Sequence, residues 1–154
     1  MKFKAIIALI MCGFLAACAE REPPMTPLEI QSMQTRQFDA SYNATFASVM
    51  SVFQDIGYTV NAASKETGLI SAESATDSSV AYQIFTGDTL NTQTAATAFI
   101  ERLKGKTSVR LNFVQKSKTS TRWGQGNSRD TPITDVTVYQ NAFERIESAI
   151  FLRQ

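Results

Sequence analysis

Cys18 is the residue of this chain best placed to do chemistry. It closes the run Leu15-Ala16-Ala17-Cys18, behind a leader with Lys2 and Lys4 at its start and an apolar stretch from Ala5 to Leu15. A basic start, a short apolar run and small residues before a cut are the layout of a cleavable secretory signal. The run is too short to cross a bilayer, which takes roughly 20 apolar residues. Cys12 lies inside the leader, so no disulfide is expected in the mature chain, although an export compartment would permit one. The sequence contains no histidine. That removes histidine acid–base catalysis, Ser-His-Asp and Cys-His nucleophile systems, and His-ligated zinc together. Carboxylate pairs and Ser-Lys or Thr nucleophiles remain open in principle, but no motif for them occurs; a catalytic reading would need a pair such as Glu66 and Glu73 to share a cleft. No Asp-x-Asp-x-Asp-Gly calcium loop is present, and Gly124-Gln125-Gly126 is too short a glycine motif to cradle phosphate. The expectation is a protein that is not an enzyme and binds no metal.

Charge supplies the other candidate site. Ala19 to Ile100 carries a net −6, Glu101 to Arg129 a net +7, and Asp130 to Gln154 a net −2. A basic segment inside a slightly acidic chain points to a partner or a surface rather than to a fold. Its candidate contact residues are Arg102, Lys104, Lys106, Arg110, Lys116, Lys118, Arg122 and Trp123. They suit an anionic lipid headgroup surface, or an acidic envelope protein with Arg122 and Trp123 as anchors. They would also suit nucleic acid, but export argues against it. The plain alternative is a solvated strand face that offsets the acidic remainder.

These residues need elements to position them. Residues 18–35, with Pro23-Pro24 and Pro27, read as an extended tether, or else as a short amphipathic docking segment through Leu28, Ile30 and Met33. One domain is then expected over 36–154. Thr35-Arg36-Gln37-Phe38 reads as a first strand with one inward aromatic. Asp39, Ser41 and Asn43 are candidate caps for a helix over Ala44 to Ile56, whose Phe46, Val49, Met50, Phe53 and Ile56 recur three and four apart, with Ser48 off the apolar face. Gly57 suits its left-handed end. A hairpin follows, with strands Tyr58–Ala62 and Leu69–Ala72 around a polar turn ending in Gly68. Val80 to Thr86 reads as a strand, Gly87-Asp88-Thr89 as a turn and Ala95 to Leu103 as a short helix. Thr107 to Phe113 alternates, with Val109, Leu111 and Phe113 inward, and is expected to run on through Lys116 and Lys118 toward Trp123. Gly124 to Pro132 reads as a long mobile loop. Asp135 caps a last helix with Val136, Tyr139, Phe143, Ile146 and Ile150 on one face. Two one-sided helices need a common apolar floor, so the expected fold class is α+β, an antiparallel sheet with two main helices packed on one face.

Leu15-Ala16-Ala17-Cys18 resembles a bacterial lipobox. The resemblance implies lipidation of the Cys18 thiol, removal of residues 1–17 and no cofactor beyond that covalent lipid. It also implies membrane attachment, and Ala19, where an Asp would signal inner-membrane retention, implies an outer-membrane anchor with the domain facing the periplasm. Downstream, Gly57-Tyr58-Thr59-Val60, Gly68-Leu69-Ile70-Ser71-Ala72 and the end segment Thr134 to Phe143 with Ile150-Phe151-Leu152 resemble small uncharacterised proteobacterial lipoproteins. The same order of elements is similar to the helix-grip modules of outer-membrane assembly lipoproteins. Together these imply a non-catalytic interaction or envelope-assembly module, or alternatively a binding module for a small amphiphile held between sheet and helix.

Overall fold

The computed structural model describes residues 25–78, 83, 86 and 88–153. The export leader, Cys18 and the first part of the tether, together with most of the expected strand at Val80 to Thr86, lie outside the described residues; the two described residues of that stretch, Gln83 and Thr86, are helical rather than extended. In chain order the elements are α1 (Pro27–Gln34), β1 (Thr35–Phe38), α2 (Tyr42–Asp55), β2 (Tyr58–Ser64), β3 (Leu69–Ser74), β4 (Asp77–Ser78), β5 (Thr89–Leu103), β6 (Lys106–Ser120), β7 (Gly126–Pro132) and α3 (Val136–Phe151). All strand pairs are antiparallel, and they form one sheet with the path β1-β6-β5-β3-β2. β4 lies on β5 and β7 on β6, so β1 and β7 share one edge of β6 at different heights.

The frame is the β5–β6 hairpin, paired without interruption from Leu103↔Lys106 to Thr89↔Ser120. Its two-residue turn, Lys104-Gly105, has φ of 51° and 84°, the double left-handed turn whose twist matches that of the strands. At ~3.3 Å per residue each 15-residue strand is about 50 Å long. Only part of this ribbon is covered. Ala96, Ala98 and Ile100 of β5, Val109, Leu111 and Phe113 of β6, and Ile70 and Ala72 of β3 alternate onto one face and are buried. Against them pack Phe46, Val49, Val52 and Phe53 of α2 and Tyr139, Phe143, Ile146 and Ile150 of α3. Rings link these layers: Phe113 lies 5.3 Å from Tyr139 and 6.4 Å from both Phe53 and Tyr58, centroid to centroid. Beyond Ala96 and Phe113 the ribbon continues as a polar arm, with β7 as its third strand, in which no described residue is buried.

The caps are local. Ser41 accepts from the Ala44 N–H at the start of α2, and Asp135 accepts from the Thr137 N–H at the start of α3. Gly57, at φ 86°, ends α2. Thus α2, α3, β1 and the β2–β3 hairpin fall where the sequence puts them.

Four other expectations change. Residues 27–34 are helical rather than extended. The Thr26 hydroxyl and the Glu29 carboxylate close a reciprocal capping box around Pro27, and this hydrogen bonding holds the Glu29 carboxyl below its usual range. Ala95 to Leu103 is strand, because Ala96, Ala98 and Ile100 alternate with Thr97, Phe99 and Glu101, and the segment pairs with β6 throughout and with β3 as far as Phe99. Gly126 to Pro132 is a strand on β6 rather than a loop. Ser48 is fully buried on the packed side of α2, and its hydroxyl has no hydrogen-bond partner among the described residues.

Candidate functional site

The basic segment is not one patch. Strand β6 separates its ends by most of 50 Å, so it divides into three groups. At the β5–β6 turn, the Arg102 guanidinium lies 4.5 Å above the Tyr42 ring, and Lys106 Nζ donates to Asp39 Oδ2 at 3.0 Å. Lys104 forms the turn itself. These cations therefore mostly meet the protein's own side chains. At the opposite end, Arg122 and Trp123 sit on the β6–β7 turn, and the Trp123 side chain is 89% exposed. Between the two, alternation puts Arg110, Lys116 and Lys118 on the face of the sheet opposite the helices.

That outer face is the second feature, and the sequence reading did not pick it out. Rows of paired residues cross it: Leu69↔Phe99↔Arg110↔Thr35, then Ser71↔Thr97↔Asn112, then Glu73↔Ala95↔Val114↔Pro132. Leu69 is 51% and Phe99 41% exposed, and Arg110 beside Phe99 is in no ion pair among the described residues. The outer face of a one-sided sheet is ordinarily polar, so a leucine and a phenylalanine paired across its first row stand out. A shallow apolar depression of about 390 Å³, lined by Ala62, Thr67, Leu69 and Thr97 among others, lies beside them and reaches strand β2. β2 ends the sheet path, with a bulge between Val60 and Ala62. The signal was in the sequence: Leu69 falls out of phase with Ile70 and Ala72, and Phe99 with Ala98 and Ile100. Reading residues 95–103 as a helix concealed it.

One ion pair lies on this face. Lys116 Nζ donates to Glu73 Oε1 at 2.9 Å, and Asn61 Nδ2 donates to Glu73 Oε2 at 3.1 Å. The Lys116 hydrogen bond and charge, helped by Asn61, hold the Glu73 carboxyl below its ordinary range. Glu73 in turn, with a smaller contribution from Asp130, raises Lys116. Glu66 is exposed on the β2–β3 turn, at the opposite end of that hairpin from Glu73. The two carboxylates therefore share no cleft. Among the described residues, no three His, Cys, Asp or Glu side chains come together in a set that could hold a metal ion.

The space between sheet and helices is filled. Phe53, Phe113, Tyr139 and Phe143 are each at most 2% exposed there. Tyr58 lies at the rim of this cluster, where burial raises its phenol, partly offset by a hydrogen bond with Thr94. At the open edge of β6, between β1 and β7, the Tyr139 hydroxyl takes the place of a neighbouring strand. It accepts from the Phe113 N–H at 3.3 Å and from Gln34 Nε2 at 3.4 Å, and it donates to the Ile133 carbonyl at 2.9 Å. No helix among the described residues is long and apolar enough to cross a membrane. Comparison with known proteins finds no matching family model and no match among curated proteins.

Proposed function

We propose that this chain is a non-catalytic lipoprotein, anchored through lipid on Cys18 to the outer membrane, whose periplasmic domain binds an envelope protein on the uncovered face of its sheet. The observation that carries the reading is the Leu69–Phe99–Arg110 row on the outer face. Phenylalanine and arginine are enriched at interfaces, and arginine is among the residues that dominate binding energy, while Leu69 adds apolar area beside them. The open edge of β2 adjoins this row, and its unpaired backbone groups suit an extended partner segment added as a further strand. The rest of such a partner, beyond the added strand, would cover Leu69 and Phe99 and offer a carboxylate to Arg110, which is four strand spacings, ~19 Å, from the added strand. Side chains already half-buried gain about half the full transfer value on being covered, ~1 kcal/mol each.

The absence of histidine and the separation of Glu66 from Glu73 support a binding role over a catalytic one. An amphiphile held between sheet and helices is the weaker reading, because that space is occupied by packed rings. The experiment is photo-crosslinking in intact cells from position 69 or 99, with position 144 on the exposed side of α3 as the reference. Discrete protein adducts at 69 and 99 that Arg110→Glu reduces are expected. Equal labelling at all three positions would remove the outer face from consideration. For the anchor, Cys18→Ala should abolish lipid labelling and release the protein from the membrane fraction; unchanged fractionation would end that half of the proposal.

A further inference from the structure

The polar arm ends in a surface unlike the outer face. The turn after β6 is built rather than loose. The Thr121 N–H and hydroxyl both donate to the Gln125 carbonyl, at 2.9 and 2.7 Å, while the Gln125 N–H donates to the Thr121 hydroxyl at 3.1 Å. The Gly124 N–H closes on the Thr121 carbonyl at 3.0 Å, with Gly124 at φ 78°. This turn presents Trp123 to solvent at 89% exposure, and Trp123 is the chain's only tryptophan. Among the described residues, the apolar side chain nearest to it along the ladder is Leu90, which pairs with Thr119. Lys118 pairs with Ser128 and Arg129 with Ser117, so alternation puts the two cations on opposite faces. Both lie within about three residues, or ~10 Å, of the end of the ladder. With Arg122 on the turn, residues 117–129 carry three positive charges and no acid. Lys118, Arg122 and Arg129 are in no ion pair among the described residues. Acids on the arm are Asp130, opposite Lys116, Asp88, next to the Thr89 that pairs with Ser120, and Asp77, which pairs with Thr92 in the row of Ser117 and Arg129.

We infer that this tip is a membrane contact: Trp123 seats at the headgroup level of an anionic, phosphate-bearing lipid surface, and Arg122, Lys118 and Arg129 bind its phosphates. An indole with an apolar body and an N–H donor suits that layer, where tryptophan is enriched. The headgroup layer is about 5–8 Å deep on each side of a bilayer, comparable to the ~10 Å band of cations behind the tryptophan. A convex turn with charge on both faces makes a poor centre for a protein interface, which needs roughly 800 Å² on each partner and a core depleted of charge. Lipid demands no shape match. The seven residues from Cys18 to Met25 reach at most ~25 Å, so an anchor on Cys18 would hold Met25 within that distance of the membrane. The inference rests on the anchoring proposal only for proximity to a membrane.

The test uses the emission of Trp123. The full chain is purified from membranes, reconstituted in phosphatidylcholine vesicles with or without phosphatidylglycerol, and compared with Cys18→Ala chain added to the same vesicles. A blue shift and quenching by brominated acyl chains are expected with the anionic lipid, weakened by salt. Loss of one cation near such a surface is worth about fivefold in partitioning, so Arg122→Gln should lower binding of the Cys18→Ala chain by that factor. Lys118→Gln, on a strand rather than the turn, should do the same and guards against a change in the turn itself. Emission that stays solvent-like with every lipid, in a chain that still co-floats with vesicles, would overturn the membrane contact and leave the anchor standing. Failure of the purified chain to float better than Cys18→Ala would refute the anchor and leave the tip to be judged by the added-vesicle arm. Crosslinks from position 123 to a protein, with no vesicle response, would assign the tip to a protein partner and also overturn the inference.

Discussion

Tyr139→Phe tests the idea that a side chain closes the gap in the edge of β6. Only the hydroxyl is removed; the ring, 1% exposed and in edge contact with Phe113, keeps its packing. Three hydrogen bonds go with it, those with the Phe113 N–H, Gln34 Nε2 and the Ile133 carbonyl. Gln34 retains Asn112 Oδ1, at 3.4 Å, as an acceptor. The Tyr139 hydroxyl is the side-chain acceptor of the Phe113 N–H among the described residues, and Phe113 is 2% exposed. A buried donor left without an acceptor costs ~1–3 kcal/mol, and the lost donation to Ile133 adds ~0.5–1.5 kcal/mol. The expected destabilisation is therefore about 2–4 kcal/mol, a fall in Tm of roughly 8–16 °C at about 4 °C per kcal/mol. Urea unfolding should be followed by far-UV circular dichroism, because the only tryptophan is at the arm tip and exposed in the folded state. Amide exchange adds a local readout: Phe113 should lose protection well before Leu111. A loss under 0.5 kcal/mol with Phe113 protection intact would show that water or backbone adjustment fills the gap, and the reasoning would be wrong.

Three further outcomes follow from the packing and the charges. Gly68→Ala should destabilise strongly, by more than ~2 kcal/mol, since φ is 74° and an added Cβ would overlap the Ile100 backbone carbonyl. Gly57→Ala meets nothing within 4 Å and should cost only the ~1 kcal/mol of its left-handed conformation, so equal losses in chemical denaturation would refute the distinction. Ser48→Ala should be neutral or raise stability by ~1 kcal/mol, because it removes a buried hydroxyl without a partner; a clear loss would mean that the hydroxyl is satisfied. Glu73 has a lowered pKa, so its contribution is present above the ordinary carboxylate range and is lost as pH falls through the lowered value. Lys116 has a raised pKa, so its share is present below the ordinary ammonium range and lost as pH rises through the raised value. The stability difference between wild type and Glu73→Gln should accordingly be flat near neutral pH and shrink in acid, and a difference that grows on acidification would contradict the pairing.

Some of this fold was legible from local signals. α2 and α3 announce themselves through three-and-four spacing behind Ser41 and Asp135, and Gly57 and Gly68 mark turns that need positive φ. What was misread depended on partners remote in sequence. Ala95 to Leu103 contains good helix formers, and only pairing with β3 and β6 makes it the central strand. Gly126 to Pro132 has no apolar residue to pattern, so its strand exists because β6 extends beyond the core and offers it an edge. α1 is a different case. Thr26 and Glu29 stand at capping-box spacing with Pro27 at the first helical position, a helix-start signal that competes with the extended bias of Pro23-Pro24 and Pro27. The eight candidate site residues were visible one by one; their division into three groups required the length and phase of β6.

That length separates stability from recognition. The inner residues of β3, β5 and β6 serve the core only as far as Ala96 and Phe113, where α2 and α3 cover them. The outer residues of the same strands contribute little to that core, so Leu69, Phe99 and Arg110 are free to be chosen for what they meet. Past the core, the arm is supported by its ladder and by polar side chains such as Gln93, which donates to the Ser74 carbonyl at 2.9 Å. An element without a buried face cannot be explained by the stability of the domain it leaves. Its register is nevertheless continuous to the last pair, and its turn is closed by hydrogen bonds around an exposed tryptophan. A polar arm paired to its end and closed around Trp123 is understandable as a reach toward something outside the domain, which is why the tip and the outer face are assigned to separate contacts.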